Sequence, residues 1–234
     1  GNVATEQSLI SMEVSKKWIN TIQYTSDKVT TDFSVYYNDI NNYVYIRPTG
    51  TRLTVRGYFP LFQYEQTDAL LMGSDAALKW KINKSVTFNS KFSYIYARDT
   101  QYDDVLIFIP PGQFENGITI SLPTPGKLSD FHVGVSVPIT FRQSRAPVVV
   151  DPQSMGTNPA DRMFDFAPAP DGYTLLNARI GCEFPIGDHS LGITLSGENL
   201  LNSSYRNYMN RLRYYSEDIG SNFILRVSYN LLSH

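Results

Sequence analysis

Leu191-Gly192-Ile193-Thr194-Leu195-Ser196-Gly197-Glu198, followed after a long polar loop by Phe223-Ile224-Leu225-Arg226-Val227-Ser228-Tyr229-Asn230-Leu231-Leu232, decides how this chain is read. In the second run every odd position is apolar: Phe223, Leu225, Val227, Tyr229 and Leu231. Most even positions are not, with Arg226, Ser228 and Asn230 between them. The first run alternates in the same way, setting Leu191, Ile193 and Leu195 against Gly192, Thr194, Ser196 and Glu198. A period of two places each set on its own face of a β-strand. The two runs therefore read as a hairpin, and the open question is whether its apolar face meets a protein core or lipid.

The same pattern recurs along the chain. It runs over about Leu9–Ile19, from Val29 to about Asn38, over Leu70–Ile82, and over Val86–Tyr96. It returns in the short run Ile118–Leu122 and in the clean alternation Phe131–Arg142, then from Tyr173 through Phe184. With the final hairpin this predicts nine strands. Connections near 20–28, 83–85, 123–130 and 185–190 are short, whereas those near 41–60, 99–117, 143–172 and 199–222 are long and rich in Tyr, Arg, Asn and Pro. Short and long links in strict alternation collect at opposite ends of the strands, as in an up-and-down outer-membrane barrel. A soluble β-sandwich has no reason to sort its loops in this way.

Composition points the same way. Among 234 residues there are 16 Tyr, 13 Phe and 2 Trp, and charged residues make up 18%, below the roughly 25% of soluble domains. The mean hydropathy is −0.24, and no run reaches the ~18 apolar residues of a membrane-spanning helix. Alternation between a lipid face and a polar lumen averages to such values. The net charge of −2 supplies no basic excess for nucleic acid. Trp18 and Trp80 each fall at the end of a run before a short turn, as in an interfacial aromatic girdle. Lys16, on the apolar face of the first run, is an exception that a snorkelling stem near an interface relieves. A one-residue slip of register would aim Arg142, Arg179, Glu198 or Arg226 at hydrocarbon, at ~2–4 kcal/mol for each basic residue near the midplane.

Catalytic and metal chemistry finds little support. His132, His189 and His234 lack metal-ligand spacing, Cys182 is the single cysteine, and no phosphate-binding or nucleophile motif is present. Asp103-Asp104 reads as a solvated acidic pair, and Glu198 has no second positioned acid or base beside it. The expectation is therefore no enzyme, no cofactor and no metal. On the polar face Lys79, Lys91, Arg142, Arg179 and Arg226 could guide an anionic ligand, or else pair with Glu13, Asp75, Glu183 and Glu198. Arg142, Arg179, Glu198 and Arg226 are the lumen or vestibule candidates.

Four stretches resemble the barrel of TonB-dependent outer-membrane receptors. Gly197-Glu198-Asn199-Leu200-Leu201-Asn202 with Tyr205 and Tyr208 is similar to that family's NL-[hydrophobic]-[D/N]-x-x-Y box, which makes Asn199, Leu200, Asn202 and Tyr205 motif positions. Asp171-Gly172-Tyr173-Thr174-Leu175-Leu176, Tyr36-Tyr37-Asn38-Asp39-Ile40 leading to Tyr43-Val44, and Ile109-Pro110-Pro111 resemble three further family segments in the expected order. Two features depart from the pattern: Gly220-Ser221-Asn222 stands where Gly-Arg-Asn is usual, and the chain ends Leu231-Leu232-Ser233-His234 rather than on an aromatic. The resemblance implies an all-β, antiparallel transmembrane barrel of ~22 strands, of which residues 1–234 would be a C-terminal portion of about nine. The plug domain and the first barrel half would lie elsewhere in a longer protein. It further implies active import of a nutrient chelate (iron–siderophore or haem first) at the bacterial outer membrane, with energy coupled through the TonB complex by way of the plug. The open edge of the last strand would invite pairing with another copy. A passive porin-like or adhesin barrel, a soluble β-sandwich binding module and, more distantly, a barrel enzyme are the rival readings.

Overall fold

The computed structural model describes residues 10–55, 57–123, 128–151 and 163–231. Its strands are β1 (Val14–Thr25), β2 (Val29–Thr54), β3 (Gly57–Lys81), β4 (Val86–Asp99), β5 (Asp104–Val105), β6 (Gln113–Leu122), β7 (Ser129–Thr140), β8 (Val148–Val149), β9 (Phe164–Asp165), β10 (Tyr173–Thr174), β11 (Asn177–Ile186), β12 (His189–Glu198) and β13 (Asn222–Asn230). Nine of them form one continuous path, β1-β2-β3-β4-β6-β7-β11-β12-β13, with every neighbouring pair antiparallel. The two-residue strands β5 and β10 attach to β4 and β7, and β8 pairs with β9 in parallel. This is an all-β meander with nine long strands, in the order the alternation predicts.

Cross-strand register shows why those residues lie where they do. Val29 sits opposite Trp80, which sits opposite Phe88, and the row continues through Ile118, Val135, Ala178 and Gly197 to Phe223. No charged side chain enters it. The row starts at the first residue of β2, beside a short turn, and finishes at the second residue of β13, beside a long loop. Over seven steps it climbs almost a full strand length. That stagger is what tilted barrel strands impose. Within two residues of the strand ends on the short-turn side stand Tyr24, Trp80, Phe88, Phe131, Phe184 and Tyr229. Toward the other end, Trp18 lies opposite Tyr37, Tyr37 opposite Met72, and Met72 opposite Tyr96. From Phe88 to Tyr96 the strand rises ~27 Å at ~3.4 Å per residue, or ~21 Å in height at a tilt of ~40°, close to the ~25 Å apolar band between two aromatic girdles.

Several expected boundaries move. The first strand spans Val14–Thr25 rather than ending at Ile19, because Ile22 and Tyr24 carry its apolar face onward. Trp18 consequently belongs to the girdle remote from the short turn, and only Trp80 adjoins one. Lys16 lies directly opposite Asp39 on the next strand, but the two form no ion pair. Residues 10–13 lie outside the strand; there the Gln66 amide accepts from the Ser11 N–H and donates to the Ser11 carbonyl, both at 2.7 Å.

The largest change concerns residues 41–60. They form no loop but the outer half of a long hairpin, paired in register as far as Thr54 opposite Gly57. Pro48 and Gly50 sit at a bulge, where a residue without an N–H is tolerated. The described part of the 123–130 turn is only its ends. Leu9, Leu232 and His234 lie outside the described residues, as do residues 124–127 and 152–162.

Candidate ligand vestibule

The polar face of the strands carries Asn89 and Lys91 (β4), Glu115 and Thr119 (β6), Ser136 (β7), Asn177 and Arg179 (β11), and Ser196 and Glu198 (β12). They line a concave cavity of about 300 Å³. Arg179 lies flat along this wall and its Nη2 donates to Thr119 Oγ1 at 3.1 Å. Gly134 makes that possible, since a Cβ there would stand 2.9 Å from Arg179 Nε. Arg226 faces Thr194 on the same side but outside the cavity. Arg142 follows β7 and pairs with Asp171 at 3.2 Å, both largely exposed. The structure thus brings Arg179 and Glu198 to one cavity and leaves Arg142 and Arg226 apart from it. None of the basic wall residues forms an ion pair with Glu13, Asp75, Glu183 or Glu198, all of which are described.

Above this polar zone the same face turns apolar, a change the sequence reading missed. Leu71 and Ile95 belong to alternations read only for their opposite faces. With Ala69 and Ala97 they pack against Leu106 and Ile109 of the 100–112 connection. A second cluster joins Tyr45 and Ile107 to Met163, with Tyr43 and Phe108 against it. The long connections therefore fold inward over the wall instead of standing free in solvent. Gln143, itself buried, donates through Nε2 to the Ile109 carbonyl at 2.9 Å and ties the next connection to this packing.

At the centre of the folded connections is Arg213, in a single 3-10 turn over Arg211–Tyr214. Its guanidinium is almost wholly buried and pairs with Asp165, equally buried. Nη1 donates to the Pro168 carbonyl at 3.3 Å, and Tyr214 Oη donates to Asp165 Oδ1 at 2.6 Å. The ring of Tyr214 lies 4.4 Å from the guanidinium carbon, Tyr208 4.9 Å and Phe108 5.8 Å. Phe62 of the long hairpin touches both Phe108 and Tyr214. One side chain thus joins the 100–112, 143–172 and 199–222 connections, and the hairpin leans on its ring cage. Burial, and then the Asp165 carboxylate, push the Tyr208 hydroxyl up to about 12. The same two causes raise Tyr214 as well.

The motif positions have a geometric role. Asn199 and Asn202 both adopt left-handed backbone, φ 48° and 50°, a region where Asn is several-fold enriched among non-glycine residues. The buried Asn199 side chain donates to the Ser203 carbonyl and accepts from its N–H, each at 2.9 Å. Asn199 N–H donates to Asn177 Oδ1, Leu200 N–H to the Leu176 carbonyl, and Ser221 Oγ to the Asn199 carbonyl. Asn202 Oδ1 accepts from Ser221 N–H, and Tyr205 packs against Tyr173 with ring centroids 4.3 Å apart and the planes tilted by 35°. The box is a knot tying the start of β11, the end of β12 and the approach to β13. The acidic pair is structural too: Asp103 pairs with Arg98, while Asp104 Oδ2 accepts from Met163 N–H.

A nine-strand tilted meander with girdled apolar face, inward-folded connections and an Asn-Leu-x-Asn knot is a specific combination. The family model for the TonB-dependent receptor-like β-barrel matches residues 10–200. This chain belongs to that family. Its members are receptors of the bacterial outer membrane, and the girdled apolar face of this receptor chain is its lipid-facing surface. No curated protein sequence matches the chain. Among solved structures it is similar to the copper transporter OprC, with 16% identity over 95% of this chain and 32% of that one at a TM-score of 0.68. The ferric preacinetobactin receptor BauA of Acinetobacter baumannii gives 15%, 93%, 29% and 0.60. A mutant of the ferric enterobactin receptor PfeA of Pseudomonas aeruginosa gives 15%, 93%, 31% and 0.61. At these identities the likeness is one of fold. The chain spans about a third of the length of each of them.

Proposed function

We propose that this chain is the C-terminal barrel portion of an outer-membrane active transporter that imports a nutrient chelate, iron–siderophore or haem before any other. The observation that carries the reading is the inward packing of the long connections onto the barrel wall, in a chain of TonB-dependent receptor sequence. It forms a walled vestibule above a polar lumen rather than an open pore. Arg179 and Glu198 would line the route below the vestibule, with Arg142 and Arg226 adding to its charge. Energy would come through the TonB complex, acting on a plug domain supplied by another part of the protein. Ferric receptors among the similar folds support this class of cargo. The porin-like and β-sandwich readings gain no support: the strands make one tilted sheet, and no second sheet packs on its apolar face among the described residues.

The test is uptake of labelled ferric chelates and haem by cells with and without the parent gene, in strains with and without a working TonB complex. Uptake that needs both is the expected result. Uptake of a small solute that needs the gene but not TonB would replace this reading with the passive channel.

A further inference from the structure

The cavity beside the Arg213 node is separate from the lumen cavity, and of its lining only Arg142 has a part in the activity proposed above. It measures about 400 Å³ and is lined by Arg142, Arg206, Arg213, Asp171 and the backbone from Ala167 to Pro170. The Arg213 side chain is only 1% exposed, and its Nη atoms are engaged by Asp165, Tyr214 and the Pro168 carbonyl. Its Nε is buried and has no hydrogen-bond partner. Arg206 is exposed and forms no ion pair among the described residues. Three guanidinium groups and one carboxylate, Asp171, line the cavity, while Asp165 backs Arg213 and Asp218 accepts from the Asn207 N–H beside Arg206.

Pro168 and Pro170 supply no N–H to this wall, so its charged donors are the three arginines. A buried charged group with an unmet donor is costly unless a partner arrives. Guanidinium groups match carboxylate and phosphate oxygens in pairs, through planar, charge-assisted hydrogen bonds.

We infer that this cavity is a binding site for an oxyanion group, phosphate or carboxylate, held between the 143–172 and 199–222 connections. Arg206 is the recruiting cation, free of structural duty. Arg213 is the fixed donor, positioned by Asp165. Arg142 is shared between the anion and Asp171, so that binding loosens that exposed pair. The oxyanion can come from a dissolved molecule or from a lipid headgroup, and the two sources are separable by experiment. Such a site does not depend on transport.

The parent receptor, purified in a non-ionic detergent free of phospholipid, would be titrated with inorganic phosphate, citrate and an uncharged sugar by calorimetry. In parallel it would be reconstituted in vesicles of phosphatidylcholine with or without phosphatidylglycerol, and lipid contact read by spin-label quenching of the outer connections. Arg206→Ala should weaken phosphate or citrate binding about tenfold, and Arg206→Glu should abolish it. The sugar should not bind at this site. Both substitutions are on an exposed side chain, and an unchanged β-type circular dichroism spectrum would confirm an intact fold. Arg206-dependent binding of phosphate or citrate establishes a dissolved ligand. Arg206-dependent contact with phosphatidylglycerol alone establishes a lipid. Absence of both dissolved-anion binding and phosphatidylglycerol contact in the unaltered receptor, or binding that is equally strong in Arg206→Glu, overturns the inference.

Discussion

At the residue scale, two side chains carry most of the loop architecture. Arg213 and Asp165 are a buried pair, and removing one partner leaves the other charge uncompensated at a cost of about 3–5 kcal/mol. Arg213→Ala should therefore release the 199–221 connection to limited proteolysis while leaving the transmembrane strands protected. An unchanged cleavage pattern would show that the pair is not what holds the connections together. The tyrosines of the same cage set a pH window. Tyr208 titrates near 12 instead of its ordinary 10, because burial and Asp165 disfavour the phenolate. A raised pKa means that the loosened connection ionises first, so the stability it lends is complete below pH 10 and lost as the pH rises toward 12. Amide protection in residues 205–215, corrected for the base-catalysed intrinsic rate, should fall across that interval, and an unchanged protection factor would show that the cage stays closed. Asn199 offers a cleaner comparison. Asn199→Gly keeps the left-handed backbone and loses only the side-chain bridge to Ser203, whereas Asn199→Ala loses both. Proteolytic release of the connection should rank Ala above Gly above the unaltered protein.

At the scale of the strand, the two faces differ in solvent and hence in tolerance. Ile193 lies mid-strand on the lipid face between Cys182 and Val227, and Thr194 on the lumen face lies between Gly181 and Arg226. Ile193→Arg should cost ~2–4 kcal/mol in equilibrium folding into bilayers. Thr194→Glu, facing Arg226, should change the same measurement by less than ~0.5 kcal/mol. Equal penalties would mean that the faces are assigned the wrong way round. This alternation is the part of the fold that the sequence displays openly: runs such as Phe131–Phe141 have one residue per face per step. The outer hairpin was illegible for a related reason. Between Tyr43 and Thr54 the chain leaves the bilayer, both of its faces meet water or other connections, and the pattern loses its period. Bulges at Ile40–Tyr43 and Pro48–Gly50 then shift what alternation remains. The apolar inner faces of Leu71 and Ile95 were hidden because their neighbours Leu70, Tyr94 and Tyr96 already satisfied the lipid-face reading. Arg213 had no local signature at all, since its partner Asp165 lies 48 residues away. The knot, by contrast, was visible beforehand, because Asn199 and Asn202 are chosen for local backbone geometry.

For the whole molecule, what matters is that β1 pairs only with β2 and β13 only with β12 among the described residues. Each outer strand of the sheet has a row of unmet backbone donors and acceptors, which template pairing with other chains. Produced alone in detergent, these 234 residues should self-associate in a concentration-dependent manner, as followed by sedimentation. A stable monomer at all concentrations would require the two edges to meet each other. On the proposal that the rest of the barrel lies in a longer parent protein, coproduction with that part should suppress the association.

The long hairpin of β2 and β3 has one more consequence. From Asp39, at the upper rim of the lipid face, the paired strands continue roughly 15 residues to Thr54, or ~50 Å along the chain at ~3.4 Å per residue. At the summit, the Val55 side chain is entirely exposed, and no described residue beyond the hairpin pairs with it. Such a mast projects from the bacterial surface well clear of the lipid, which makes its tip a natural place for antibodies to land. The same geometry makes Val55 a tolerant position for displaying a foreign peptide on living cells.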